Sequence, residues 1–167
     1  AVFYSPSLVF TNDNFDAQQI LVQQGGYTGA LFETEVVTTI AIDGANQKWI
    51  ATRNGAWLMS EDGTKQLLYF NKDNSPLLSN NIVDIAIDHQ SGEVFFGTDK
   101  GIISYKGTAT KGNSTHENVY VYPNPVKWDY KGLIAVKGLV KDANVKITDI
   151  TGSLIYETIA QGGQTIW

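Results

Sequence analysis

Asp88, His89 and Ser91 fall within four positions of one another and supply the three side-chain types of a hydrolase triad. A triad needs an imidazole aimed at a hydroxyl and a carboxylate behind it, and such groups converge from separate segments. Neighbours in one turn point apart, so the trio reads as a solvated turn. His116, the second histidine, sits in a polar stretch and offers less. Asn71, Asp73 and Asn74 are rich in oxygen, but the later bidentate acid of a calcium loop is missing, so they read as a connection. Cleavage of a glycan needs paired carboxylates, and the acids here cluster only in turns. The expectation is a chain with no catalytic residue, no metal ligands and no cofactor.

Binding chemistry is better represented. Arg53 is the one arginine of the chain, next to Asn54 in a loop, and a guanidinium can hold a carboxylate or phosphate through two parallel hydrogen bonds. Arg53 and Asn54 are therefore the candidate ligand contacts, with a solvated loop charge as the alternative. Trp49, Trp57, Phe95 and Phe96 could stack on sugar rings, yet their place inside β-type runs favours core packing. A net charge of -5 and a pI near 4.9 speak against a nucleic-acid partner, which requires clustered Lys and Arg. With no cysteine there is neither a disulfide nor a thiolate nucleophile, and this leaves the compartment open. No apolar run approaches the ~20 residues of a membrane-spanning helix. The chain opens at Ala1 without a charged-then-apolar leader, and is expected to begin inside a longer protein.

The elements that position these residues come from a repeat. Ile40, Ile42 and Asp43 match Ile85, Ile87 and Asp88 at a spacing of 45, while Trp49, Thr52 and Gly55 match Phe95, Thr98 and Gly101 at 46. One residue is thus inserted in the turn where 44–47 faces 89–92. A period in the mid-forties made of short alternating runs has the length of a four-stranded propeller blade, and no 3.6-residue periodicity argues for helices. Strands are predicted over 36–42, 48–52, 56–60, 65–70, 82–88, 93–98 and 102–105. Residues 19–23 and 27–32 flank a Gly pair as a hairpin, and 1–10 suggest two short strands around a turn. Trp49 is expected to superpose on Phe95 and Ile42 on Ile87, with all four buried.

Residues 77–102 carry a named resemblance. Leu77, Ser79, Asn80, the strand ending at Asp88, Gly97, Thr98 and Gly101 resemble the two-component-regulator type of propeller repeat, with Leu78, Phe95 and Ile102 standing where proline, tryptophan and leucine are usual. The motif consists of blade core and turn glycines and brings no ligand site with it. The turn at 60–64 partly resembles the Asp-box of sialidase propellers but lacks its aromatic. Residues 106–118 hold no apolar side chain larger than alanine and read as a linker. Beyond it, alternating runs at 119–126, 132–139, 143–152, 153–158 and 162–167 form a second all-β unit. Tyr122, Pro123, Asn124 and Pro125, then Asp149 and Gly152, then Gly162, Gly163 and Trp167 resemble the C-terminal sorting-signal-like domains of Bacteroidetes secretion proteins.

The expected architecture is all-β: a partial β-propeller of about two four-stranded blades at 1–105, a linker at 106–118, and an incomplete Ig-like β-sandwich at 119–167. A closed propeller needs at least four blades, so the chain is expected to be a piece of something larger, whose open sheet edges favour self-association. The pair of resemblances together is similar to surface components of the type IX secretion machinery. It implies a non-enzymatic protein of the periplasm or outer-membrane surface of a Gram-negative bacterium, binding anionic lipopolysaccharide or another glycan, or other secretion-system proteins. The alternative is the periplasmic glycan-sensing propeller of a hybrid two-component system, and a third class is a glycan-cleaving propeller enzyme.

Overall fold

In a computed structural model, residues 7, 10, 11, 19–24 and 27–167 are described. The strand pair expected at 1–10 and the Gly25, Gly26 turn lie outside the described residues. Among the described residues no α-helix forms, and no helix is long and apolar enough to cross a membrane. The expected hairpin is present as β1 (Leu21–Gln24) and β2 (Tyr27–Ala30), with Leu21 opposite Ala30.

The first repeat folds as a four-stranded antiparallel sheet of β3 (Val37–Ile42), β4 (Lys48–Thr52), β5 (Gly55–Met59) and β6 (Gln66–Phe70), in sequence order. The second contains β7 (Ile82–Asp88), β8 (Glu93–Thr98) and β9 (Gly101–Lys106). Each boundary lies within one residue of the predicted one, because the alternating runs end at turn formers on both sides. The two sheets share their irregularities as well as their strands. A bulge separates Val37 from Thr39 opposite β4, and another separates Ile82 from Asp84 opposite β8. Ile42 pairs with Lys48 and Ile87 with Val94, so the extra residue sits in the turn between them and leaves both ladders intact.

The second sheet has the three strands predicted for it, one fewer than a full four-stranded blade. After β9 the chain turns away: the Gly107 amide donates to the Gly92 carbonyl at 3.0 Å, and the polar stretch that follows forms isolated bridges rather than a ladder.

The main core is the seam between the sheets. Ala41, Trp49, Leu58 and Leu68 are paired in register across the first sheet and present one face; Ile85, Phe96 and Ile103, with Ile87, Val94 and Tyr105, present the opposing face of the second. Trp49 (2% exposed) meets Phe96 (1%) edge to face at 5.4 Å. The Thr38 hydroxyl ties the first strands together by donating to the Ile82 carbonyl at 2.7 Å.

This geometry overturns the expectation that equivalent residues are buried together. Trp49 and Phe95 do hold the same register position, opposite Ala41 and Ala86. Yet Phe95 is 37% exposed and Ile42 51% exposed. Stacked repeats offer opposite faces to a shared seam, so a position that points inward in one sheet points outward in the other. Ile102 and Val83 accompany Phe95 on the outward face. On the outward face of the first sheet, Phe32 covers Trp57 edge-on at 5.4 Å, and Ile40 stays exposed.

The C-terminal segment forms a three-stranded sheet, in the order β10 (Tyr120–Tyr122), β11 (Ala135–Lys137) and β14 (Gln164–Ile166), and a two-stranded sheet of β12 (Asn144–Thr148) and β13 (Leu154–Ile159). Val136, Leu139 and Ala160 make its small core. The strands expected over 119–126 and 132–139 are much shorter than their apolar runs. Pro123 and Pro125 cannot donate to a ladder, and Gly138 turns the chain at φ 79°.

Candidate functional site

Arg53 and Asn54 occupy the tight turn between β4 and β5. The Thr52 hydroxyl donates to the Gly55 carbonyl at 3.1 Å and accepts the Asn54 amide at 3.0 Å, and Gly55 adopts φ 137°. The second repeat copies this turn: Thr98 donates to the Gly101 carbonyl at 2.8 Å and accepts the Lys100 amide at 3.1 Å. The clamp is therefore part of the repeat, and what distinguishes the first copy is the residues mounted on it. Asn54 is fully engaged, donating to both Glu35 carboxylate oxygens at 3.2 and 3.0 Å while its carbonyl accepts the Tyr69 hydroxyl at 2.8 Å. Arg53 is exposed and has no ion pair among the described residues.

The other candidates resolve into turns. Asp88 takes the Gln90 amide at 2.9 Å, and its carboxyl is held below the ordinary value, first by the Ser91 hydroxyl and then by that amide. The Ser91 oxygen accepts the Glu93 amide at 3.2 Å, and the His89 carbonyl accepts the Lys111 amide at 2.7 Å. The oxygen of Asn71 accepts the amides of Asp73 and Asn74 at 2.9 and 3.0 Å, and that of Asn74 accepts the Asn71 amide at 2.8 Å. Side-chain oxygens spent on the local backbone are not aimed at a common centre. Among the described residues no group of acids and histidines converges as metal ligands do.

At 60–64 the Asp62 carboxylate accepts the Thr64 amide at 3.1 Å and the Thr64 hydroxyl at 2.8 Å, and Gly63 turns at φ 74°. The Ser60 hydroxyl, ahead of the Thr64 amide and hydroxyl, lowers the Asp62 pKa from 3.8 to about 2. A depressed folded pKa means that the carboxylate's support of the turn is complete above the unfolded value and is lost as pH falls through about 2. Carboxyl-resolved NMR titration should therefore give Asp62 a midpoint near 2, and an ordinary midpoint would show an open turn.

The largest groove described here lies at the opposite end of the sheets from Arg53. It has a volume of about 810 Å³ and runs between the turn after β7, residues 110–114 and the sheet of β10, β11 and β14. The polar stretch builds it by bonding to both sides: beyond the Lys111 bond to His89, the Asn113 amide donates to the Leu139 carbonyl at 2.9 Å and the Gly163 amide to the Thr110 carbonyl at 2.9 Å. His89, Lys111, Asn113, Asn118, Tyr120 and Lys137 are among its lining residues, and no carboxylate is. Asp43 lies behind the turn. It is buried, bonded to the Ala45 and Gln47 amides at 2.9 and 3.0 Å, and pushed above its ordinary pKa by that burial, against the opposing pull of those amides and of His89. Sequence reasoning missed the groove, because Lys111 and Lys137 are far apart in the chain and the stretch holding Lys111 read as a linker.

No family model matches the chain, and no curated protein matches it. Among solved structures, it matches PorZ of Porphyromonas gingivalis, an essential bacterial surface component of the type IX secretion system, at 34% identity and a TM-score of 0.61. The match covers 98% of this chain and 22% of PorZ. The chain is thus similar to PorZ in fold and sequence over nearly its whole length, and spans 22% of the length of the protein it resembles.

Proposed function

We propose that this chain is part of a non-enzymatic protein at the periplasmic or outer-membrane surface of a Gram-negative bacterium, and that it assists type IX secretion by binding an anionic lipopolysaccharide or another secretion-system protein. The likeness to PorZ carries the reading, through 34% identity sustained over 98% of the chain. The local geometry is in keeping with it. The acids at Asp62, Asp88 and Asp149 each close their own turn. At the β4–β5 end, Arg53 remains the candidate contact for an anion, with Asn54 as the strut that holds its loop.

The test is genetic. Deleting this segment in frame from its gene should leave cargo with sorting-signal domains trapped inside the cell envelope, and restoring the segment should return that cargo to the surface. Unchanged surface display of cargo after the deletion would overturn the proposal.

A further inference from the structure

We propose that the pocket at the end of the seam, where the turn after β3 meets β5, β6 and β9, is a binding site for a primary ammonium group carried on a short apolar chain, with Asp43 as its counter-ion. The pocket has a volume of about 230 Å³, and about 150 Å³ is enough to hold a benzene. Its lining includes Leu58, Leu68, Tyr105, Ala109 and Gln161. Among the described residues that line it, Asp43 is the only acid, and no lysine, arginine or histidine joins it. The proposal is independent of the secretion reading.

Asp43 ends the first strand of its repeat as Asp88 does in the second, and each accepts amides of the turn that follows. Their surroundings differ. Asp88 is exposed, whereas Asp43 is 7% exposed. One oxygen of Asp43 accepts the Ala45 and Gln47 amides; the other accepts no hydrogen bond among the described residues, and no ion pair reaches it. The turn therefore uses half of the carboxylate. His89 and Lys48 act on it through space alone, and the Lys48 ammonium is bonded to the Asn46 and Glu61 carbonyls. A carboxylate so placed has lost water without gaining a cation, which is why burial pushes its pKa up. An ammonium in the pocket would supply the missing charge and donate to the open oxygen.

The rest of the lining selects the body of the ligand. Leu58 is buried, and Leu68 and Tyr105 are half-buried members of the seam, so methylene groups find an apolar wall beside a single acid. A bare divalent cation would lack the further oxygen ligands that it needs, and an anion would meet Asp43 itself. The wall beside Asp43 is held by backbone. A Cβ on Gly44 would strike the Thr110 carbonyl, so the turn after β3 and the stretch after β9 are already in contact. The site is formed before a ligand arrives, which limits the ordering cost of binding.

The experiment titrates the intact chain with pentylamine, 1-pentanol, pentanoate and Nα-acetyl-lysine methylamide, followed by calorimetry and amide chemical shifts. Pentylamine should bind with a Kd on the order of 1 mM, as suits a ligand of so few atoms, and roughly tenfold or more tighter than the alcohol or the acid. Shifts should centre on Asp43, Ala45, Gln47 and Ala109. Asp43→Asn keeps an oxygen for the two amides but removes the charge, and should lose roughly tenfold or more; Asp88→Asn should leave binding unchanged. The amine keeps its proton at and below neutral pH, so affinity should fall on acidification as Asp43 is protonated. With the Asp43 pKa raised, that fall should begin above the ordinary carboxylate range. Lys48, His89 and Tyr105 are the other titratable groups that face the site, and a fall that is absent from Asp43→Asn assigns the titration to Asp43. The stronger of the two amine probes identifies the source, a free amine or a lysine side chain, and either supports the site. Equal binding of pentylamine and pentanol, no saturable binding, or unchanged affinity in Asp43→Asn overturns it. If that variant fails to melt cooperatively, the wild-type comparison of amine with alcohol decides.

Discussion

Trp49→Ala should cost about 3–5 kcal/mol, the range for truncating a large buried aromatic, and Phe95→Ala about 1 kcal/mol or less, although the two residues hold equivalent places in the repeat. Trp49 is 2% exposed and contacts rings from both sheets: Phe96 at 5.4 Å and Tyr105 at 5.9 Å across the seam, and Phe70 at 5.9 Å within its own sheet. Its removal would leave a void between two sheets that cannot close without sliding past each other, so the cavity adds to the lost transfer energy. Phe95 is 37% exposed, on the face turned away from the seam. Urea melts followed by far-ultraviolet dichroism measure both. Similar losses for the two variants would mean that the outward face is covered in solution, and that the seam is not the dominant core.

Gly162→Ala should cost about 3 kcal/mol, combining overpacking with the strain of a left-handed backbone. Gly162 has φ 67°, and a Cβ there would run into the Thr110 carbonyl and come within 2.7 Å of the Gly44 carbonyl. Neither obstacle is free to retreat. Thr110 is buried and its carbonyl accepts the Gly163 amide, and a Cβ on Gly44 would itself strike Thr110. Three backbones, from the turn after β3, from the stretch after β9 and from the turn before β14, thus meet at one carbonyl. Gly152→Ala is the control: it also has a positive φ, 87°, but nothing lies within 4 Å, so only the conformational cost of about 1–2 kcal/mol applies. Thermal melts of the two variants separate strain from collision. Equal losses would show that the junction yields.

Where the sequence was legible, the information was local. The alternation of Ile85, Ile87 and Val94, Phe96 with their polar or outward neighbours sets which residues share a face, and the positive-φ requirement at Gly55 and Gly101 sets where the strands turn. That is enough for register. It does not say which face is covered, because Phe95 and Phe96 are the same residue type and only the placement of the neighbouring sheet makes one core and the other surface. The β10 strand was overestimated because apolar Val119 and Val126 bracket two prolines that remove ladder donors. The junction and the groove were illegible for a different reason. They are built from backbone amides and carbonyls of Thr110, Lys111, Asn113 and Gly163, and every residue but proline carries those groups whatever its side chain.

The residue inserted between the repeats shows where this architecture can vary in length. At the β4–β5 and β8–β9 ends, the Thr52 and Thr98 hydroxyls measure off two residues before the next strand begins, and any addition would break both bonds of the clamp. Within a strand an extra residue would turn every later side chain over and expel Val94 or Phe96 from the seam. The turns after β3 and β7 have neither constraint, and the second already holds one residue more than the first while the ladders stay in step. That longer turn carries His89 and forms one wall of the groove. Loops of other lengths and sequences grafted between Asp88 and Glu93 would thus reshape the groove while the ladders keep their register, provided that they restore the bonds which the His89 and Gly92 carbonyls make to the Lys111 and Gly107 amides.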